Sequence, residues 1–278
     1  MQINQKKKKM IKNNNPIGVF DSGVGGLTVM SEINKILPKE NFIYFGDTAH
    51  LPYGSKSKNM IIELSKKITL FLIKKDVKLI VVACNTASSF ALSILQKTFK
   101  IPIVGVIKST SMAAMSASKK NRIGVIGTEG TVNSKSYINE LNKISRYNVY
   151  QQACPLFVSL IEEGWTENEI TNIIIKKYLK PLLNKNIDTL ILGCTHYQLL
   201  KKILKKNVKN DVVLIDSSKF VVKEVLNVLN KEKMFAKNRD KVFFKFYVSD
   251  NPAKFKKLGN QFFKRKIYDV KKINIDAE

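Results

Sequence analysis

Val81–Ser89 reads VVACNTASS, a run of β-branched residues ending in a lone cysteine, Cys84, followed at once by Asn85, Thr86 and small side chains. A thiol in such a place is ordinarily a small hydrophobe filling the core. Leu190–Tyr197 repeats the arrangement as LILGCTHY, with Cys194 after an apolar run and a small residue and before a polar turn. Two such copies are what internal repeats of one supersecondary unit look like. They predict paired chemistry at two equivalent strand ends.

The same kind of apolar run recurs along the chain: PIGVF (16–20), NFIYFGD (41–47), KLIVVAC (78–84), IPIVGVI (101–107), RIGVIGT (122–128), VYQQAC (149–154), DTLILGC (188–194) and VVLIDSS (212–218). Each reads as a buried strand. Between them lie segments with helical spacing, such as Lys58–Lys74, where Met60, Ile61, Leu64, Ile68, Phe71 and Leu72 fall on one face. Strands alternating with helices, and apolar on both faces, predict parallel α/β sheets. In such sheets ligands collect at the carboxyl ends of the strands. Asp21-Ser22, Asp47, Cys84-Asn85-Thr86, Thr128, Cys154-Pro155, Cys194-Thr195-His196 and Asp216-Ser217-Ser218 all fall there, which implies a shared rim.

The fold class expected is α/β, with two pseudo-symmetric lobes of mainly parallel sheets flanked by helices and the active site between them. The boundaries expected are a disordered basic leader over 1–15, a first lobe over 16–108 and 218–278, and a second over 109–217. The first crossing is placed near Ile107–Ser111 and the return near Asp216–Lys219. KVFFKFYVSD (241–250) reads as a further strand.

With 278 residues, 44% of them hydrophobic, the chain can bury substantial cores. The apolar runs are far shorter than the roughly 20 residues of a membrane helix, and no apolar segment follows the charged N-terminus as in a signal peptide. A cytoplasmic protein without a membrane partner is the expectation. Three cysteines, Cys84, Cys154 and Cys194, make a disulfide framework a poor reading and predict reduced thiols. The net charge of +26 raises nucleic acid as a partner. Of 48 basic residues, however, only Arg122, Arg146, Arg239 and Arg265 are arginines, the lysines are dispersed, and Asn and Ile are abundant. A surface built for phosphate contacts favours the bidentate guanidinium, so the charge reads as solvated surface and no specific nucleic acid is expected.

FDSGVGGLTV (20–29) sets Asp21 and Ser22 after a strand and before a glycine-rich turn that opens a helix. No phosphate-loop signature is present, and Thr28 stands where a dinucleotide fingerprint needs glycine. The turn still offers backbone N–H groups to an anion such as a carboxylate, while a plain capping role for Asp21 remains open. The only histidines are His50 and His196. His196 lies two residues beyond Cys194, but zinc-type spacing is lacking and no metal is expected. A single cysteine nucleophile with His196 as base would suit acyl transfer, yet it leaves one of two matched thiols idle. Two thiols facing one small ligand have a simpler use. Removing a proton from one face of a carbon and delivering one to the other inverts its configuration, and a thiol and a thiolate can exchange those roles.

Taken together, DSGVGGLTV (21–29), YFGDTAHLPYGSKS (44–57), VVACNTASS (81–89), IGVIGTEGTVNS (123–134), CPLFVSLIEEG (154–164) and LGCTHYQLL (192–200) resemble the glutamate racemases. The resemblance runs in order from about residue 17 to 218. It implies a cofactor-independent isomerase that supplies D-glutamate for peptidoglycan. It also implies that Cys84 is the base acting on D-glutamate, Cys194 the base acting on L-glutamate, and Asp21 and His196 their respective helpers, with Glu162 an auxiliary acid. Glu162 reads equally well as an exposed surface carboxylate beside Glu163. Substrate contacts are implied at Asp21, Ser22, Tyr53, Gly54, Asn85, Thr86, Thr195 and His196. His50-Leu51 departs from the common family pattern but leaves the Pro-Tyr-Gly element intact, and Cys154 is expected to be structural. Rival readings are an aspartate or broad-specificity racemase, or a basic nucleic-acid-binding or regulatory protein that keeps the fold without the chemistry. The oligomeric state is left open, a homodimer included.

Overall fold

The structure, a computed structural model, describes residues 13–143, 145–237 and 242–275. Its strands in chain order are β1 (Ile17–Asp21), β2 (Phe42–Gly46), β3 (Leu79–Val82), β4 (Ile103–Gly105), β5 (Arg122–Gly127), β6 (Asn148–Ala153), β7 (Thr189–Gly193), β8 (Val213–Asp216), β9 (Phe244–Val248) and β10 (Val270–Lys272). They form a six-stranded sheet in the order β10-β9-β2-β1-β3-β4 and a four-stranded sheet in the order β6-β5-β7-β8. Every pairing is parallel.

All the apolar runs of the sequence become strands. β1, β2, β3 and β7 are buried along their whole length, as strands covered by helices on both faces must be. The order β2-β1-β3-β4 in one sheet is the order β6-β5-β7-β8 in the other. β3 and β7 therefore hold equivalent places, and the cysteines that follow them are equivalent too. The additional strand read in KVFFKFYVSD is β9. β10 has no counterpart in the sequence reading: it is a short edge strand whose Lys271 and Lys272 are exposed, so it carries no apolar alternation.

Helix Lys58–Lys74 forms as its spacing predicts, capped by Ser57, whose side chain accepts from Met60 N. Ile61, Leu64, Ile68, Phe71 and Leu72 are buried as expected, but Met60 is exposed. It sits in the first turn beside the cap, where only Ile61 and Ile62 turn inward. The chain leaves the six-stranded sheet through helix Val106–Ala117, directly after β4, and returns through helix Ser217–Lys231, directly after β8. These two helices pack against each other, and the second also lies along helix Leu27–Ile36.

Of the leader expected over 1–15, residues 1–12 lie outside the described residues. Asn13 and Asn14 are held: the Asn13 carbonyl accepts from Lys78 Nζ at 2.5 Å and the Asn14 carbonyl from Asn41 Nδ2 at 3.1 Å. Lys78 is fully buried, pairs with Glu40 at 2.5 Å and donates to the Met234 carbonyl at 2.7 Å. Glu40 in turn accepts from Ala236 N at 2.8 Å. One buried ion pair thus ties the start of the first lobe to the segment that follows helix Ser217–Lys231. None of the described helices is long and apolar enough to cross a membrane.

Candidate active site

The carboxyl ends of the central strands of both sheets meet at one small cavity, lined by Ser22, Tyr53, Gly54, Cys84, Asn85, Thr86 and Thr128 and by Cys194, Thr195 and His196. The lobes touch closely. A methyl group on Gly25 would overlap Thr195 Oγ1 and the His196 imidazole, so only glycine lets the β1 turn approach that near. Gly54 does the same against Thr128.

Cys84 ends the β3 segment and is the N-cap of helix Asn85–Phe90, its sulfur accepting from Ala87 N at 3.5 Å. Its Sγ also lies 3.8 Å from Ser22 Oγ. Cys194 stands at the matching point after β7 and opens the 3₁₀ turn Thr195–Leu200. Two positions on from each cysteine, Thr86 and His196 correspond. Asp21 is the last residue of β1, whereas the equivalent last residue of β5 is Gly127, which carries no side chain. The scaffold repeats, but its charges do not.

That asymmetry sets the electrostatics. Burial pushes the Cys84 thiol up to about 12, and the Asp21 carboxylate beside it acts in the same direction. Burial would push the His196 imidazole down, but hydrogen bonds to Cys194 and Glu162, with the negative charge of Asp21, raise it to about 10. His196 is therefore an imidazolium at neutral pH, in contact with one thiol, while a carboxylate faces the other. Asp21 is itself fully buried, and burial raises its carboxyl above the ordinary range, against the charge of His196 and donors from Gly23 and Thr195. Its Oδ1 accepts from Gly23 N at 2.9 Å and its Oδ2 from Thr195 Oγ1 at 3.1 Å. Asp21 does cap a turn, as one reading of the sequence allowed, but the turn is the one against which the opposite lobe docks.

Glu162 is not a surface carboxylate. It ends helix Leu156–Glu162, its side chain is 11% exposed, and its Oε1 lies 3.3 Å from His196 Nε2. Burial raises its carboxyl, but the hydrogen bond and charge of His196 together with Lys254 bring it below the usual carboxylate value.

Around the thiols the polar groups are held from behind. Tyr53 donates to Asp47 Oδ2 at 2.6 Å, and Asp47 Oδ1 meets His50 Nδ1 at 2.8 Å and Ser249 Oγ at 2.7 Å. Tyr137 donates to Asn85 Oδ1 at 2.7 Å. The Thr86 hydroxyl meets those of Thr128 and Thr131 at 2.8 and 3.2 Å across the lobes, and the latter two are 3.1 Å apart.

All the residues assigned to the site by sequence are brought together here. Of the other rim residues, Asp47 is one layer back, and Cys154 and Asp216 do not line the cavity. Cys154 is buried in the core, and its carbonyl accepts from the Tyr197 hydroxyl at 3.0 Å. Thr131, Val158, Leu51 and Pro52 were not picked out as site residues. The Pro-Tyr-Gly element contains Pro52 and adjoins Leu51, whereas Thr131 and Val158 arrive by tertiary contact. Among the described residues no group of three or more His, Cys, Asp or Glu side chains is placed to hold a metal ion.

A family model described as Asp/Glu/Hydantoin racemase matches residues 17–225. The chain is 45% identical over 263 residues to a glutamate racemase of Geobacter metallireducens, covering 94% of this chain and 97% of that one. It is 43% identical over 262 residues to a glutamate racemase of Neisseria meningitidis, with the same coverage of 94% and 97%. In structure it is similar to the glutamate racemase of Francisella tularensis in complex with D-glutamate, with TM-score 0.90, 39% identity and coverage of 96% of this chain and 100% of that one.

Proposed function

Because the chain belongs to the Asp/Glu/hydantoin racemase family, we propose that it interconverts L- and D-glutamate with Cys84 and Cys194 as a face-specific acid/base pair, supplying D-glutamate for peptidoglycan in the cytoplasm. The observation that carries this is the placement of two thiols at equivalent strand ends, β3 and β7, on one cavity, with a carboxylate beside one and an imidazolium beside the other.

Burial and the Asp21 carboxylate favour Cys84 as the thiol that delivers a proton, which leaves Cys194, beside His196, to act as the base on L-glutamate. L-Glutamate then gives its Cα proton to Cys194, and the electron pair left behind is delocalised onto the α-carboxylate. Cys84 delivers its own proton to the opposite face, and D-glutamate results. Cys194 is left as thiol and Cys84 as thiolate, the form that acts on D-glutamate. Running the steps backwards restores the start, as does proton exchange with water.

Donors fixed before substrate arrives stabilise the charge that develops without reorganising. Ser22, Asn85 and Thr86 offer hydroxyl and amide groups to the two carboxylates, Thr195, whose hydroxyl proton goes to Asp21, lines the same cavity, and Tyr53-Gly54 is braced by Asp47. Asp21 and His196 tune their own thiols, and Glu162 keeps His196 charged.

Circular dichroism on purified protein, with each enantiomer of glutamate and of aspartate, tests the assignment. Loss of signal from both glutamate enantiomers to zero, with aspartate turned over at least about a hundredfold more slowly, is expected. Equal or faster turnover of aspartate contradicts it.

A further inference from the structure

The acid arm that reaches Cys194 does not end in its own lobe. Glu162 Oε2 lies 3.5 Å from Lys254 Nζ. Lys254 belongs to helix Pro252–Phe263, between β9 and β10 of the six-stranded sheet, whereas Glu162, His196 and Cys194 all come from the segment of the four-stranded one. The same helix sets the ring of Phe262 edge-on to the His196 imidazole, with centroids 5.3 Å apart and an interplanar angle of 71°. Helix Pro252–Phe263 thus touches the arm twice, once through a cation at its carboxylate and once through an aromatic edge at its imidazole.

We infer that Lys254 is a positioning residue for the Cys194 half-reaction, its ammonium holding the Glu162 carboxylate ionised and aimed at His196 so that His196 stays an imidazolium beside Cys194. The titratable groups facing this arm are Asp21 and Cys194 at His196, and Lys254 and His196 at Glu162. Among them Lys254 is the cation from the opposite lobe. Cys84 has its own neighbours, Asp21, Ser22 and the Ala87 N–H, and meets this arm only at longer range, through the charges of Asp21 and Cys194. The help therefore falls mainly on the Cys194 side. It also exists only while the lobes are together, because the contact spans them.

A one-sided effect cannot appear as a difference between the two directions in kcat/KM for racemisation, since the equilibrium constant between enantiomers is one and keeps the two values equal. It does appear in an irreversible half-reaction. With glutamate carrying chlorine at Cβ, the thiolate takes the Cα proton, the C–H electron pair becomes the Cα–Cβ double bond and chloride leaves. The enamine tautomerises to an imine, which water hydrolyses to 2-oxoglutarate and ammonium.

This inference rests on the two-thiol reading, and the experiment separates them. Elimination from each enantiomer of 3-chloroglutamate is measured in the unaltered protein, in the two Cys→Ser variants, and in Lys254→Met and Lys254→Arg. Lys254 is half-exposed, so the pair is screened and the expected change is modest. Lys254→Met slows the L enantiomer about two- to fivefold and leaves the D enantiomer at least as fast, which also shows the variant to be folded. Lys254→Arg restores the L rate. Equal slowing of both enantiomers, no slowing of the L enantiomer, or an arginine variant as slow as the methionine one overturns the role of Lys254. If the Cys→Ser variants show no split between enantiomers, the two-thiol reading itself fails.

Discussion

Thr195 Oγ1 donates to Asp21 Oδ2 at 3.1 Å across the lobe interface. The residue that follows one thiol thereby holds the carboxylate that stands beside the other. The two halves of the site are cross-braced, and Gly25, with no side chain, is what lets them close on each other.

Removing that brace should affect both reaction directions alike. Thr195→Val keeps the volume and loses the donor, leaving a buried carboxylate short of one partner. A hydrogen bond to a charged group contributes about 1.5–3 kcal/mol, so kcat/KM is expected to fall about 10- to 100-fold for both enantiomers in the circular-dichroism assay. A change under about threefold would mean that the brace does not matter to catalysis.

The unequal surroundings of the thiols predict unequal chemical reactivity. Alkylation follows the thiolate, and Cys84 is buried with its thiol pushed up to about 12. Cys194 is half-buried beside the His196 imidazolium. At pH 7.5 iodoacetamide should label Cys194 at least about a hundredfold faster than Cys84, with Cys154 untouched, as read by peptide mass spectrometry. Faster labelling of Cys84 would contradict its assignment as the thiol.

His196 also links folding to pH. Its pKa is raised from an unfolded value near 6.5 to about 10, so its contribution to stability is fully present below about pH 6.5 and is lost as pH rises through 10. The melting temperature of the unaltered protein minus that of His196→Gln should therefore be largest near pH 6 and shrink steadily towards pH 10.5. A difference that grows with pH would show that His196 is buried neutral.

Away from the site, Lys78 and Glu40 form a fully buried pair that also holds Asn13, Met234 and Ala236. Lys78→Met strands a buried carboxylate and should cost about 3–5 kcal/mol, seen in the denaturant midpoint. Adding Glu40→Leu should recover part of that loss. A double variant no better than the single one would argue against an uncompensated charge as the cause.

The strands were legible because parallel strands covered on both faces must be continuous apolar runs, and Val81, Val82, Leu190 and Ile191 say so directly. β10 was not, since an edge strand with lysines at its exposed positions carries no such signal. The two cysteines could be read as a pair from the repeat alone. The opposite charges beside them could not, because Asp21, His196 and Glu162 come from separate segments and only the fold decides which thiol each one faces. Glu162, beside Glu163 in sequence, carries no local mark that separates site from surface, and only the fold brings it within 3.3 Å of His196. Lys254 lies beyond the repeated unit, in a lysine-rich tail where nothing local distinguishes it from its neighbours.

The face-specific use of the two thiols is tested most directly by elimination from the L and D enantiomers of 3-chloroglutamate in Cys84→Ser and Cys194→Ser. A serine hydroxyl does not supply an alkoxide near neutrality, so each variant keeps one working base. Cys84→Ser should process the L enantiomer and lose the D enantiomer, Cys194→Ser should do the reverse, and neither should racemise glutamate. Equal losses on both enantiomers in each variant, or full racemisation by either one, would contradict it.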